Sequence, residues 1–120
     1  MAFLVLCPIR PGHALIIPKQ HFDYFDDVPG ELITPIILLG QKLAVAMKAL
    51  HGVSRVGFAF TGGDLPHVHA HVIPLHEKED ITSRQYIAER DLTFREATRV
   101  SDTDLAAEAA DLVRVLSVRK

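Results

Sequence analysis

From His67 to Pro74 the chain reads HVHAHVIP, with histidines at three alternate positions and Val68, Ala70 and Val72 between them. In an extended strand successive side chains point to opposite faces, so this stretch constrains the fold strongly. The three apolar residues face a core, and His67, His69 and His71 share the other face. At about 3.3 Å of rise per residue, neighbouring rings on that face stand about 7 Å apart. Such proximity disfavours simultaneous protonation and keeps at least one ring neutral near neutral pH. Three uses fit the pattern. The histidines are a solvated polar strand face, or they form a metal site, or one ring is a nucleophile while the others hold phosphate oxygens. A zinc site would need His76 or Cys7 as further ligands. Against it, no Asp or Glu occupies the alternating positions, and His76 falls on the opposite parity after Pro74.

A strand with one apolar face needs partners and a covering layer. Phe3 to Leu6 and Ala14 to Ile17 read as short strands separated by the turn CPIRPG. From Pro29 to Leu50, Leu32, Ile36, Leu39, Leu43, Met47 and Leu50 recur at helical spacing. This helix starts either at Pro29 or at a Thr34 cap with Pro35 in its first turn, and Gly52 supplies its left-handed end. Ile33, Ile37, Leu38 and Ala44 widen its apolar surface enough for two neighbours, one of them a second subunit. Val56 to Phe60 forms a hairpin with the histidine strand through TGGDLP. A short helix runs from Thr82 or Ser83 to Arg90. A last amphipathic helix spans Ser101 to Leu116, with Leu105, Ala109, Leu112 and Leu116 inward. The order β, β, α, β, β, α implies an α+β fold with an antiparallel β-sheet, one long helix and a C-terminal helix. We read residues 1–120 as a single domain, with a core over 2–75 and a helical extension over 76–120.

The net charge is −2 and the 13 Lys and Arg residues are scattered, so no basic stripe favours a nucleic-acid polymer or an anionic membrane as partner. Cys7 is the lone cysteine and no CxxC pair occurs, which fits a reduced, cytoplasmic setting. The apolar run FLVLCPI is too short to span a bilayer and reads as a buried strand.

HVHAHVI resembles the His-x-His-x-His signature of the histidine triad (HIT) family of nucleotide hydrolases and transferases. PGHALIIPKQH, from Pro11 to His21, is similar to the family's upstream segment. AFLVLCP resembles the strand that opens its nucleotide pocket, and LPHVHAHVIP has its lead into the triad. The likeness runs in order from Ala2 to Leu75 and is closest to the phosphoramidase-like branch. It implies a HIT-like fold and attack by His69 on the α-phosphorus of a purine nucleotide conjugate, through a covalent nucleotidyl-histidine. Its other ring nitrogen would be tied to the His67 carbonyl. It implies His71 as a donor to a phosphate oxygen, with His67 and His21 as supports. Leu6, Gly62, Gly63, Asp64 and Leu65 would line the nucleotide site, and neither metal nor cofactor is required. A homodimer follows from family habit. His13, His51 and His76 read as satisfying a turn, a helix end and a solvent-facing strand exit, and Lys19 as a surface residue.

The chain departs from the family pattern at Val5, which replaces a ribose-binding aspartate, and at Gly63 and Asp64, which replace a polar pair before the triad. The substrate is a phosphoramidate or a dinucleoside polyphosphate. The alternative is a nucleotide-binding or regulatory module with little catalysis, and a metal-binding module is the third possibility.

Overall fold

A computed structural model describes residues 1–62, 65–77, 80–81 and 98–118. The helix expected over 82–90, and Gly63 and Asp64, lie outside the described residues. Strands β1 (Ala2–Leu4), β2 (Ala14–Ile16), β3 (Arg55–Phe60) and β4 (Ala70–Leu75) form one sheet, joined by helices α1 (Gly30–His51) and α2 (Asp102–Val118). The sheet order is β1-β2-β4-β3, antiparallel throughout, with Leu15 opposite both Phe3 and His71 and Ala59 opposite His71.

The alternation in the histidine stretch sorts the two faces as expected, although β4 begins only at Ala70, so His67 and His69 lie in its extended approach. Val68, Ala70 and Val72 are buried, and Ala70 and Val72 cluster with Ala14 and Ile16 beneath Ile36, Leu43, Ala46 and Met47 of α1. The approach is held outside the regular ladder by the Val68 N–H on the Phe22 carbonyl (2.7 Å) and the His67 N–H on the Leu65 carbonyl (2.8 Å). Pro74 sits inside β4, where a missing N–H is usually costly. Opposite it stands Val56 of β3, while β2 begins only at Ala14, the partner of Val72, so Pro74 has no β2 residue to leave unbonded.

Helix α1 begins directly after Pro29, which settles its start, and Pro35 is accommodated within it. It ends on Gly52, whose φ of 66° places its N–H on the Lys48 carbonyl. At 22 residues and a mean hydropathy of 1.5 its most apolar stretch would suit a membrane span by length and composition. In this fold its Ile36, Leu43, Ala46 and Met47 pack into the core, while Ile37, Leu38 and Val45 stay exposed. Gly40 gives β3 a close seat, since a Cβ there would come within 2.5 Å of the Phe58 ring.

The hydroxyl of Ser101 caps α2 through the Asp104 N–H at 3.1 Å. Its inner face carries Leu105, Glu108, Leu112, Val115 and Leu116, whereas Ala109 is exposed. Glu108 replaces Ala109 on that face because its carboxylate pairs with Nε2 of His51 at the end of α1. Both atoms press on the turn before β2. Gly12 has φ 94°, and a Cβ on it would come within 2.7 Å of Glu108 and of His51.

Candidate active site

The sheet face opposite α1 carries a cavity of about 390 Å³ lined by Phe3, Leu15, Thr61, His67, His69 and His71, among others. The row Phe3, Leu15, His71, Ala59 runs across the four strands, and its first three residues form the cavity floor. Nδ1 of His69 lies 2.8 Å from the carbonyl oxygen of His67. Only an N–H can face a carbonyl at that distance, so the proton of the neutral ring sits on Nδ1 and the Nε2 lone pair is free. The rings of His69 and His71 meet edge to face with centroids 4.9 Å apart, nearer than strand spacing alone would place them.

His71 is governed by a residue that the sequence assigns only to a turn. Nδ1 of His13 accepts the Ile9 N–H at 3.2 Å, so its proton sits on Nε2, which donates to Nδ1 of His71 at 2.9 Å. The proton of His71 is thereby placed on Nε2, 3.4 Å from the Thr61 hydroxyl. Burial, and secondarily the neighbouring His71, lowers His13 to about 4. Burial, and secondarily His69, also lowers His71. Both rings are therefore neutral at neutral pH, and the chain of donors from Ile9 through His13 presents one N–H donor at His71.

A second relay supports His67. The Nε2–H of His21 donates to Asp23 at 2.8 Å, and Nδ1 of His21 meets Nδ1 of His67 at 2.7 Å. With His21 neutral, His67 is the donor in that contact, and its buried Nε2 has no partner among the described residues. Sequence reasoning missed Asp23 and Thr61, and it missed the contact of His13 with His71. Leu15 lies opposite His71, and His13, two residues earlier, shares the parity of Leu15, which is the signal that was available.

Leu6 does not line the cavity. It follows the end of β1, is 52% exposed, and uses its carbonyl to accept the Val100 N–H. Phe3 takes its place on the floor because it shares the register row of His71. Val5 lines a different cleft, with His13 and α2. Leu65 lines the triad cavity, and Gly62, with φ 62°, lies beside the Tyr24 ring in an adjoining pocket that also reaches His69. Gly63 and Asp64 are outside the described residues. His76 is exposed, with its ring edge-on to His51. Among the described residues, no group of three or more His, Cys, Asp or Glu side chains is arranged to hold a metal.

A one-helix-covered antiparallel sheet whose open face presents tautomer-fixed histidines defines a class of small α+β proteins. The chain belongs to the HIT domain family, whose model matches residues 1–78. It is 37% identical over 79 residues to an adenosine 5′-monophosphoramidase of Saccharomyces cerevisiae, covering 65% of this chain and 50% of that protein. It is 28% identical over 78 residues to a bifunctional bis(5′-adenosyl)-triphosphatase/adenylylsulfatase of Arabidopsis thaliana, covering 61% of this chain and 43% of that one. The chain thus spans about half the length of these two relatives, and less than two thirds of an uncharacterised HIT-like protein of Methanocaldococcus jannaschii. Among solved structures, a HIT-like protein of Bartonella henselae superposes with a TM-score of 0.75 at 23% identity, covering 95% of this chain and 78% of that one. That likeness is one of fold.

Proposed function

We propose that the protein is a nucleotide hydrolase that cleaves at the α-phosphate of a purine nucleotide conjugate, with His69 as nucleophile. The observation that carries this reading is the His69 Nδ1 contact with the His67 carbonyl, which puts the neutral ring's proton on Nδ1 and leaves the Nε2 lone pair of this cavity-lining residue free. In the first step Nε2 of His69 bonds to phosphorus as the bond to the leaving nitrogen or oxygen breaks. The leaving atom keeps the electron pair and takes a proton from water. In the second step the remaining hydroxide attacks phosphorus, the P–N bond to His69 breaks, and neutral His69 and the nucleoside monophosphate are released. The N–H of His71 stabilises a phosphate oxygen throughout.

The relatives' names favour a phosphoramidate over a dinucleoside polyphosphate, because the phosphoramidase of yeast has the higher identity. We take the working form to be a homodimer in the cytoplasm. Its support is the apolar outer surface of α1, where Ile37, Leu38 and Val45 are about half exposed, and the unpaired cysteine. A light-scattering mass near that of one chain would count against the dimer.

The decisive experiment incubates wild type and His69→Ala with adenosine 5′-phosphoramidate and with diadenosine triphosphate. Turnover by the wild type, with a trapped nucleotidyl adduct absent from the variant, is expected. Tight AMP binding without turnover or adduct would favour the binding-module reading instead.

A further inference from the structure

Beyond His71 the same sheet face holds a second pocket of about 380 Å³, within the size range of small-molecule sites. Its walls are Ile9, Gly57, Ala59, Ile73 and Ile81, and it shares His71 and Thr61 with the triad cavity. The shared residues make it continuous with the place where phosphate would sit. Register explains the arrangement, since Gly57 lies opposite Ile73 and Ala59 opposite His71, all on the open face. His69 lines the triad cavity but not this pocket. A group displaced in line leaves on the side of phosphorus away from the attacking nitrogen, and this pocket adjoins His71 without bordering His69.

Its polarity is equally specific. Asp80 is the acidic residue at its edge, yet that carboxylate is spent on structure. It accepts Nε and Nη2 of Arg10 at 3.0 and 2.8 Å, and the backbone N–H groups of His76 and Glu77 at 2.9 and 3.2 Å. These bonds anchor the segment that places Ile81 over the pocket, and among the described residues the remaining walls are apolar except where Thr61 and His71 meet the triad cavity. Gly57 keeps that interior open, because a Cβ there would come within 3.1 Å of Ile81 and 3.5 Å of Leu75.

We propose that this pocket is a leaving-group subsite that selects an apolar amine substituent, with Gly57 and Ile81 setting its size. The inference rests on the hydrolase reading above and specifies the half of the substrate that reading leaves open. The step itself is unchanged: the P–N bond breaks, and the amine departs with its electron pair and a proton from water.

The test uses adenosine 5′-phosphoramidates whose leaving amines are ammonia, methylamine, isobutylamine and benzylamine. The readout is the ratio of kcat/KM for each alkyl amide to that for the ammonia amide within one protein, which a general loss of activity does not move. In the wild type the isobutyl ratio should be roughly tenfold or more, the return on burying a few methylene groups. Gly57→Val should bring the ratio towards one, and Ile81→Ala should shift the preference towards benzylamine, so that one variant narrows the pocket and the other widens it. Equal turnover of all four amides, or ratios identical in both variants and the wild type, overturns the subsite alone. No turnover of any amide overturns this inference, and no turnover of diadenosine triphosphate either overturns the hydrolase reading with it.

Discussion

Nε2 of His13 donates to Nδ1 of His71 across 2.9 Å, and this bond decides which nitrogen of His71 carries the proton that faces the cavity. A buried ring fixed at its far end by the Ile9 N–H acts on the site without touching substrate. His13 is therefore a positioning residue.

Replacing it should expose that role. His13→Ala should lower kcat about tenfold, the equivalent of one hydrogen bond of about 1.4 kcal/mol, with a smaller change in KM. His13→Gln, which can keep an N–H donor in place, should recover part of the loss. Equal kcat for wild type and His13→Ala in steady-state assays would refute the assignment.

The same burial makes stability depend on pH. His13 titrates at about 4 in the folded protein against a usual 6.5, so the unfolded chain takes up its proton first as pH falls. Its contribution to stability is full above pH 6.5 and is lost progressively down to about 4, a loss on the order of 3 kcal/mol. Asp80 acts lower down. Arg10 above all, by its hydrogen bonds, holds Asp80 at about 2 against 3.8, so its contribution is present above about pH 4 and disappears towards 2. Urea unfolding between pH 7 and 4 should show the first loss, and His13→Phe should flatten that slope.

Gly12 couples the helical layer to the site. Gly12→Ala must adopt a φ of 94° and push against His51 and Glu108, the residues that tie α1 to α2. We expect a destabilisation of more than about 1 kcal/mol together with reduced kcat, because His13 follows directly. A variant as stable as the wild type in thermal melts would show that the turn relaxes freely.

Leu112 is the buried side chain by which α2 joins the core. Leu112→Ala should cost about 2–5 kcal/mol in one cooperative transition. Two separated transitions would indicate that the C-terminal helix unfolds apart from the sheet.

Much of this organisation is legible in the chain. The alternation around His69 assigns Val68, Ala70 and Val72 to the core, because side-chain direction in an extended segment is a local property. The spacing from Leu32 to Leu50 gives the long helix, and Gly52 its end, for the same reason. The strand limits were less legible. Pro74 reads as a terminator, yet it belongs to β4, because what decides is whether a partner strand needs its N–H. Ala109 reads as inward, yet Glu108 takes that side, because His51, 57 residues earlier, supplies its partner.

The candidate site divides in the same way. By itself the sequence determined that three histidines share one face and that His69 stands in the middle of them, since both follow from parity. Only the tertiary structure decided that Phe3 rather than Leu6 floors the cavity, that Asp23 reaches His67 through His21, and that His13 sets the tautomer of His71. Those relationships join residues far apart in the chain, 58 positions in the case of His13 and His71. They depend on sheet register and on which rings lose water, and neither is written in any local run of residues.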